Sequence, residues 1–118
     1  MLVIRLPIPP SVNALYYNRK RPAKGQRGRG KTAKYRHWIA EADKWYLMQK
    51  ASIKPMRGKL EIQIRVPKTR ADISGLIKSA EDFLVSREIT GDDKHNHRIS
   101  IQVDETVDCC VVTILPME

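Results

Sequence analysis

A chain of 118 residues is the size of one domain with a single hydrophobic core, too short for two independent cores. Its 42% hydrophobic and 30% charged residues are those of a globular rather than a disordered chain, and no apolar run approaches the ~20 residues of a membrane helix. The net charge of +9 is unevenly placed: residues 1–40 hold ten Lys/Arg and no acid, while residues 41–118 hold twelve Lys/Arg and thirteen acids. The basic excess is therefore the property of one segment.

In chain order, "MLVIRLPIPP" opens with alternating apolar residues from Leu2 to Leu6, a strand pattern. The stretch has no basic leader and meets Pro7 too soon for a secretory signal, so it reads as a mature strand. Next, "NRKRPAKGQRGRGKTAKYR" packs nine cations, three glycines and a proline into residues 18–36 without an acid, and predicts a mobile basic loop or arm. Arg19, Lys20, Arg21, Lys24, Arg27, Arg29, Lys31, Lys34 and Arg36 can each neutralise a phosphate; a solvated linker is the bland alternative. Tyr35, Trp38, Ile39, Ala42, Trp45 and Tyr46 then recur at steps of three and four, predicting an amphipathic helix over 32–49.

"LEIQIRV" is a second strand, Leu60 to Val66, with Leu60, Ile62, Ile64 and Val66 on one face and Glu61, Gln63 and Arg65 on the other. Ile73, Leu76, Ile77, Ala80 and Leu84 predict a second helix over 73–85, with Asp72 at its N-cap. Strands follow at Ile99–Val103 and Cys109–Leu115, joined by "DETVD", which reads as a hairpin connection. The adjacent Cys109 and Cys110 point to opposite faces of a strand, which rules out an ordinary disulfide framework and fits a reducing cytoplasm. The expected fold is α+β: one two-layer domain over 1–118, in the order β-α-β-α-β-β, with a mixed sheet of about four strands covered by two helices and a basic loop over 18–34.

Acids beside a phosphate-binding surface need a cation between them and the substrate, and magnesium on carboxylates is the usual one. The candidates are Asp72 and the pair Asp92 and Asp93 in "TGDDKHN". Taken singly, Asp72 is a helix cap and Asp92–Asp93 a turn. Ser74, Lys78 and Asp82, four apart, make one polar stripe; Lys78 is either an ion-paired surface lysine or a functional one. His95 and His97 form an H-x-H pair but, with no third ligand, read as surface histidines.

Taken in order, "LPIPPSVNALYYNRKR", the basic loop, the strand ending "VPKTR", "DISGLIKSAEDFL" and "GDDKHN" resemble the RusA family of Holliday-junction resolvases. The likeness spans most of the chain. The resemblance implies a magnesium-dependent endodeoxyribonuclease that acts as a homodimer on four-way DNA junctions. It implies Asp72 and Asp93 as metal-binding and catalytic carboxylates, Asp92 as a neighbouring ligand, and Lys78 as the catalytic lysine. Asn13 and Tyr17 fall in its N-terminal segment; together with the cations above, Lys68 and Arg70 they make the expected DNA-binding set, with Tyr16 and Tyr17 placed to stack on unpaired bases. One position departs: Ser74 stands where the family has a second aspartate, followed by Gly75 instead of asparagine. Asp82, roughly 12 Å further along a helix, is too far to replace it; Glu61 is a possible surrogate. The alternative is a branched-DNA-binding protein of the same fold that has lost turnover.

Overall fold

The computed structural model describes residues 1–26, 28–69, 72–91 and 96–117. The expected strands and helices form where the periodicity places them. β1 (Leu2–Leu6) buries Leu2, Ile4 and Leu6 on one face. α1 (Ala33–Gln49) starts at Thr32, whose hydroxyl oxygen accepts the Tyr35 N–H at 3.2 Å, satisfying one of the amides a helix start leaves unpaired. β4 (Leu60–Val66) alternates strictly between buried and half-buried residues. A 3₁₀ turn, Ile73–Leu76, capped by Asp72, leads into α2 (Ile77–Ser86); β5 (Asn96–Val103) and β6 (Cys110–Pro116) follow.

These four strands make one mixed sheet in the order β1-β6-β4-β5, antiparallel except for the parallel pair β4/β5 that α2 connects. Both helices lie on one face. Between the layers, Ile4, Leu6, Ile62, Ile64, Val112 and Ile114 meet Trp38, Phe83 and Leu84, with the Trp38 and Phe83 rings edge to face at 5.7 Å. Each such aliphatic side chain contributes about 1.5–3 kcal/mol on burial. Arg87, at the end of α2, clamps Asp43 of α1 through two nitrogens, Nη2 to Oδ2 at 2.6 Å, and tethers the helices to each other.

Two expectations are corrected. The link through "DETVD" is not a hairpin, because β4 lies between β5 and β6. Residues Cys110 to Ile114 are buried on both faces, which suits a central strand, whereas β5 is half exposed and takes the edge. The chain crosses the end of β4 at Asp104, whose N–H donates to the Val66 carbonyl at 2.8 Å and whose carboxylate holds Arg65 at 3.2 Å.

The basic stretch, in turn, is not loop throughout. Its ends are β2 (Tyr16–Asn18) and β3 (Arg29–Lys31), an antiparallel hairpin that forms a second, two-stranded sheet. At the far edge of the main sheet, Gln49 accepts the Arg5 N–H at 2.8 Å and donates to the Arg5 carbonyl at 2.7 Å, covering backbone groups that an edge strand leaves open. Among the described residues, no helix is long and apolar enough to cross a membrane.

Candidate nucleic-acid interface and catalytic centre

The hairpin is held by its own cations and rings. Tyr17 lies opposite Gly30, and a Cβ on that glycine would stand 2.8 Å from the Tyr17 ring, so only glycine lets the ring lie this close. Arg19 donates from Nη1 to the Arg29 carbonyl at 2.7 Å, and Arg36 from Nη1 to the Lys31 carbonyl at 3.3 Å. The Arg29 guanidinium sits 4.5 Å above the Tyr16 ring and the Lys31 ammonium 5.9 Å from that of Tyr35. These contacts orient the cations while leaving donors for a ligand, since a guanidinium carries five N–H groups. Together Arg19, Arg29, Lys31 and Arg36 line a cleft of about 620 Å³, with Tyr16 and Gln26 as its other side-chain walls and no acid among the described lining residues.

The remaining members of the expected DNA-binding set are spread out. Lys20, Arg21 and Lys24 are exposed on the hairpin tip, Lys68 is exposed after β4, and Lys34 is exposed on the first turn of α1. Tyr17 is 47% exposed, whereas Tyr16 is occupied by Arg29 and by an edge-to-face contact with Tyr35 at 5.8 Å. Of the two rings, Tyr17 is the more exposed. Asn13 lies in the 3₁₀ turn Val12–Ala14, its N–H bound to Ser11 Oγ at 3.2 Å. Arg27 and Arg70 lie outside the described residues.

Ahead of α2, Asp72 is a cap as the sequence predicts, but of the 3₁₀ turn Ile73–Leu76 rather than of a helix that runs on from residue 73. Its Oδ1 accepts both the Ser74 N–H at 3.1 Å and the Ser74 hydroxyl at 3.0 Å. The proline-rich N-terminal segment docks beside this turn: buried Ser79 donates from Oγ to the Pro10 carbonyl at 3.2 Å, and a Cβ on Gly75 would make ordinary contact with Val12 at 3.7 Å. The fold thereby joins two pieces that are more than sixty residues apart.

Lys78 pairs with Asp82 at 3.3 Å, as four-residue spacing allows, and it also lines a groove of about 400 Å³ with Tyr16, Gly28 and Arg29 of the hairpin. Asp82 shares a neighbouring cleft with Tyr16, Lys31 and Tyr35. Burial first, then the proximity of Tyr16 and Asp82, pushes the Tyr35 phenol up to about 12, so it stays protonated at neutral pH.

Asp92 and Asp93, with His95, lie outside the described residues. The described ends of that loop are Gly91 and the β5 residue Asn96, which pairs with Leu60 at the start of β4; Asp72 instead follows the strand's end at Val66. Glu61, the possible surrogate, lies near the other end of β4 from Asp72. It projects from the helix-free face near the start of β4, where it accepts from Gln63 at 3.1 Å and faces Arg98 at 3.8 Å.

Among the described residues no three of His, Cys, Asp and Glu gather as a metal site. Both Ser74 donors meet the same oxygen of the exposed Asp72, Oδ1. One carboxylate completed by substrate phosphate and water is a donor set that magnesium accepts. Both cysteines are buried and unbridged; burial pushes the Cys110 thiol up to about 12, which makes it a packing group.

Sequence reasoning missed the hairpin and with it the groove that joins Arg29 to Lys78. The only local signal was the tyrosine pair at one end of the basic run and Gly30 at the other. No established family profile matches the chain, and no curated protein does.

Proposed function

We propose that the chain is a magnesium-dependent endonuclease of the RusA type that binds four-way DNA junctions as a homodimer and nicks them. The observation that carries this reading is the groove in which Lys78, the lysine matched to the family's catalytic one, stands beside Arg29 and Tyr16 of the basic hairpin. A strand held by its phosphates in the neighbouring cleft of Arg19, Arg29, Lys31 and Arg36 would reach Lys78 without leaving positive surface. A twofold dimer suits the substrate, because two such sites address two strands across the junction's own approximate dyad.

In the hydrolysis a water oxygen bonds to phosphorus while the P–O3′ bond breaks, leaving a 5′-phosphate and a 3′-hydroxyl. Asp72, with substrate phosphate and water, would hold magnesium, which when bound polarises the phosphate and lowers the pKa of water; the resemblance also implies Asp92 and Asp93, on a loop whose described end Asn96 pairs at the other end of β4. Lys78 turns from Asp82 to the charge that develops on the phosphoryl or leaving oxygen. The hairpin cations hold the backbone on either side of the scissile bond.

A second reading, a junction binder without turnover, is favoured by one observation: Ser74 supplies no charge and spends its hydroxyl on Asp72. Magnesium titrated against a synthetic four-way junction decides between them. Nicks that appear with magnesium support the enzyme; tight binding without nicks at any concentration supports the binder. Equal affinity for linear duplex and junction refutes both.

A further inference from the structure

A second cleft, of about 430 Å³, opens on the other side of the first two turns of α1. Its floor is apolar: Pro9, Pro10, Trp38 and Leu76, all buried. Its rim carries Lys34, His37, Glu41 and Thr69. Trp38 donates from Nε1 to the Pro7 carbonyl at 3.0 Å, which fixes the indole as a wall.

The chemistry of this cleft differs from that of its neighbour. A phosphate would face the Glu41 carboxylate over a bed of prolines that offer it no N–H. A nucleobase suits both parts, because its flat faces are neutral and its edges carry donors and acceptors. An amino group on the base meets the acceptor Glu41, while ring nitrogens and carbonyls meet Lys34, His37 or Thr69. The volume lies in the range of small-ligand pockets, with the usual apolar lining and a few polar groups.

Position adds a second argument. Arg36, on the same two turns of α1, belongs to the phosphate cleft. Thr69 and Leu76, on the opposite wall of the apolar cleft, flank the Arg70–Asp72 segment. A helix is about 10–12 Å across with its side chains. A strand crossing this helix start can therefore lay its backbone on one side and turn a base out to the other.

We infer that the Pro9–Trp38–Leu76 cleft is a pocket for one unpaired nucleobase, the base swung out next to the site of strand cleavage. The inference rests on the nucleic-acid reading above, and junctions open at their centre supply such bases. It commits to a base rather than to a peptide or a segment of a second copy, because the adjoining cleft is lined by the four cations Arg19, Arg29, Lys31 and Arg36, with no acid among its described lining residues.

The test measures binding without magnesium to a four-way junction and to a single-stranded oligonucleotide, each with intact or abasic central positions. Stacking and edge contacts predict that intact ligands bind about tenfold more tightly than abasic ones in both forms. In the double variant His37→Ala/Glu41→Ala the ratio falls towards one, while the salt dependence set by the phosphate cleft is unchanged. Equal affinity for intact and abasic ligands overturns the pocket. So does a ratio untouched by the variant, or a shift of the variant from dimer to monomer with the ratio unchanged, which would assign the cleft to a partner copy. Failure of the resolvase reading looks different: the junction loses its advantage over linear duplex, and the single-strand arm still reports on the pocket.

Discussion

The basic hairpin and the head of α2, which reaches the hairpin's groove through Lys78, are built in opposite ways. The hairpin carries an excess of one charge and fixes it with backbone carbonyls and aromatic faces, so its cations are set before any ligand arrives. The head of α2 carries little charge and uses it internally: Asp72 caps its own turn and receives Ser74, and Lys78 leans on Asp82. Preorganised cations mean that binding needs little rearrangement, whereas on the proposed nuclease reading the head of α2 would have to exchange internal bonds for bonds to substrate. Affinity and turnover should therefore respond to different residues.

The largest separation is expected at Lys78. Lys78→Ala removes the only cation that α2 is seen to place in the groove, and the loss of one such stabilising donor predicts a fall of about 10²–10³ in kcat, with junction affinity changed little. Single-turnover nicking measured beside equilibrium binding checks it; a matching loss of affinity would merge the two regions into one binding surface.

The converse variant, Arg29→Ala/Arg36→Ala, is expected to lower junction affinity about tenfold and to reduce the salt slope by about 2, with the single-turnover rate at saturation retained. An unchanged slope would mean that the phosphates bypass this cleft. Because both arginines also brace the hairpin, circular dichroism should accompany the titration.

Ser74→Asp tests the sparse charge of the other region. The variant exchanges a hydroxyl bond worth about 1 kcal/mol for a like charge beside Asp72, so without magnesium Tm should fall by a few degrees. Magnesium should restore it, and the metal concentration for half-maximal nicking should drop about tenfold, as expected when a ligand carboxylate is added. A Tm that ignores magnesium would place the ion elsewhere.

The same contrast explains how much could be read from the sequence. β1, β4 and α1 were legible because five to seventeen residues suffice to display a period, and the Asp72 cap and the Lys78–Asp82 pair because their partners are two and four residues apart. The hairpin was not, because its strands are three residues long and the pairing of Tyr17 with Gly30 spans a run of cations that by composition reads as loop. The swap of β5 and β6 was written in the apolar run from Cys110 to Ile114, which marks a central strand, but proximity in sequence argued for pairing. Tertiary juxtaposition of Lys78 with Arg29 has no sequence period at all.

The smallest expected effect lies at the turn that follows β5, beside the end of β4, the strand that leads to Asp72. There Asp104 accepts the Thr106 N–H at 2.9 Å and the Thr106 hydroxyl, and pairs with Arg65. Hydrogen bonds from Thr106, ahead of the Arg65 charge, hold its carboxyl below the usual carboxylate value. A carboxyl depressed by folding stabilises the native state at pH values above its unfolded pKa, and that contribution fades as pH falls through the folded value. Asp104→Asn should therefore be slightly less stable than the wild type at pH 7, with the Tm difference closing below about pH 4. The hairpin holds no acid among the described residues, so the cation-only variant Arg29→Ala/Arg36→Ala should show no such closure over the same range. Thermal melts of the two variants between pH 3 and 7 then separate a turn fixed by a carboxylate from a surface fixed by cations; parallel curves would remove the distinction.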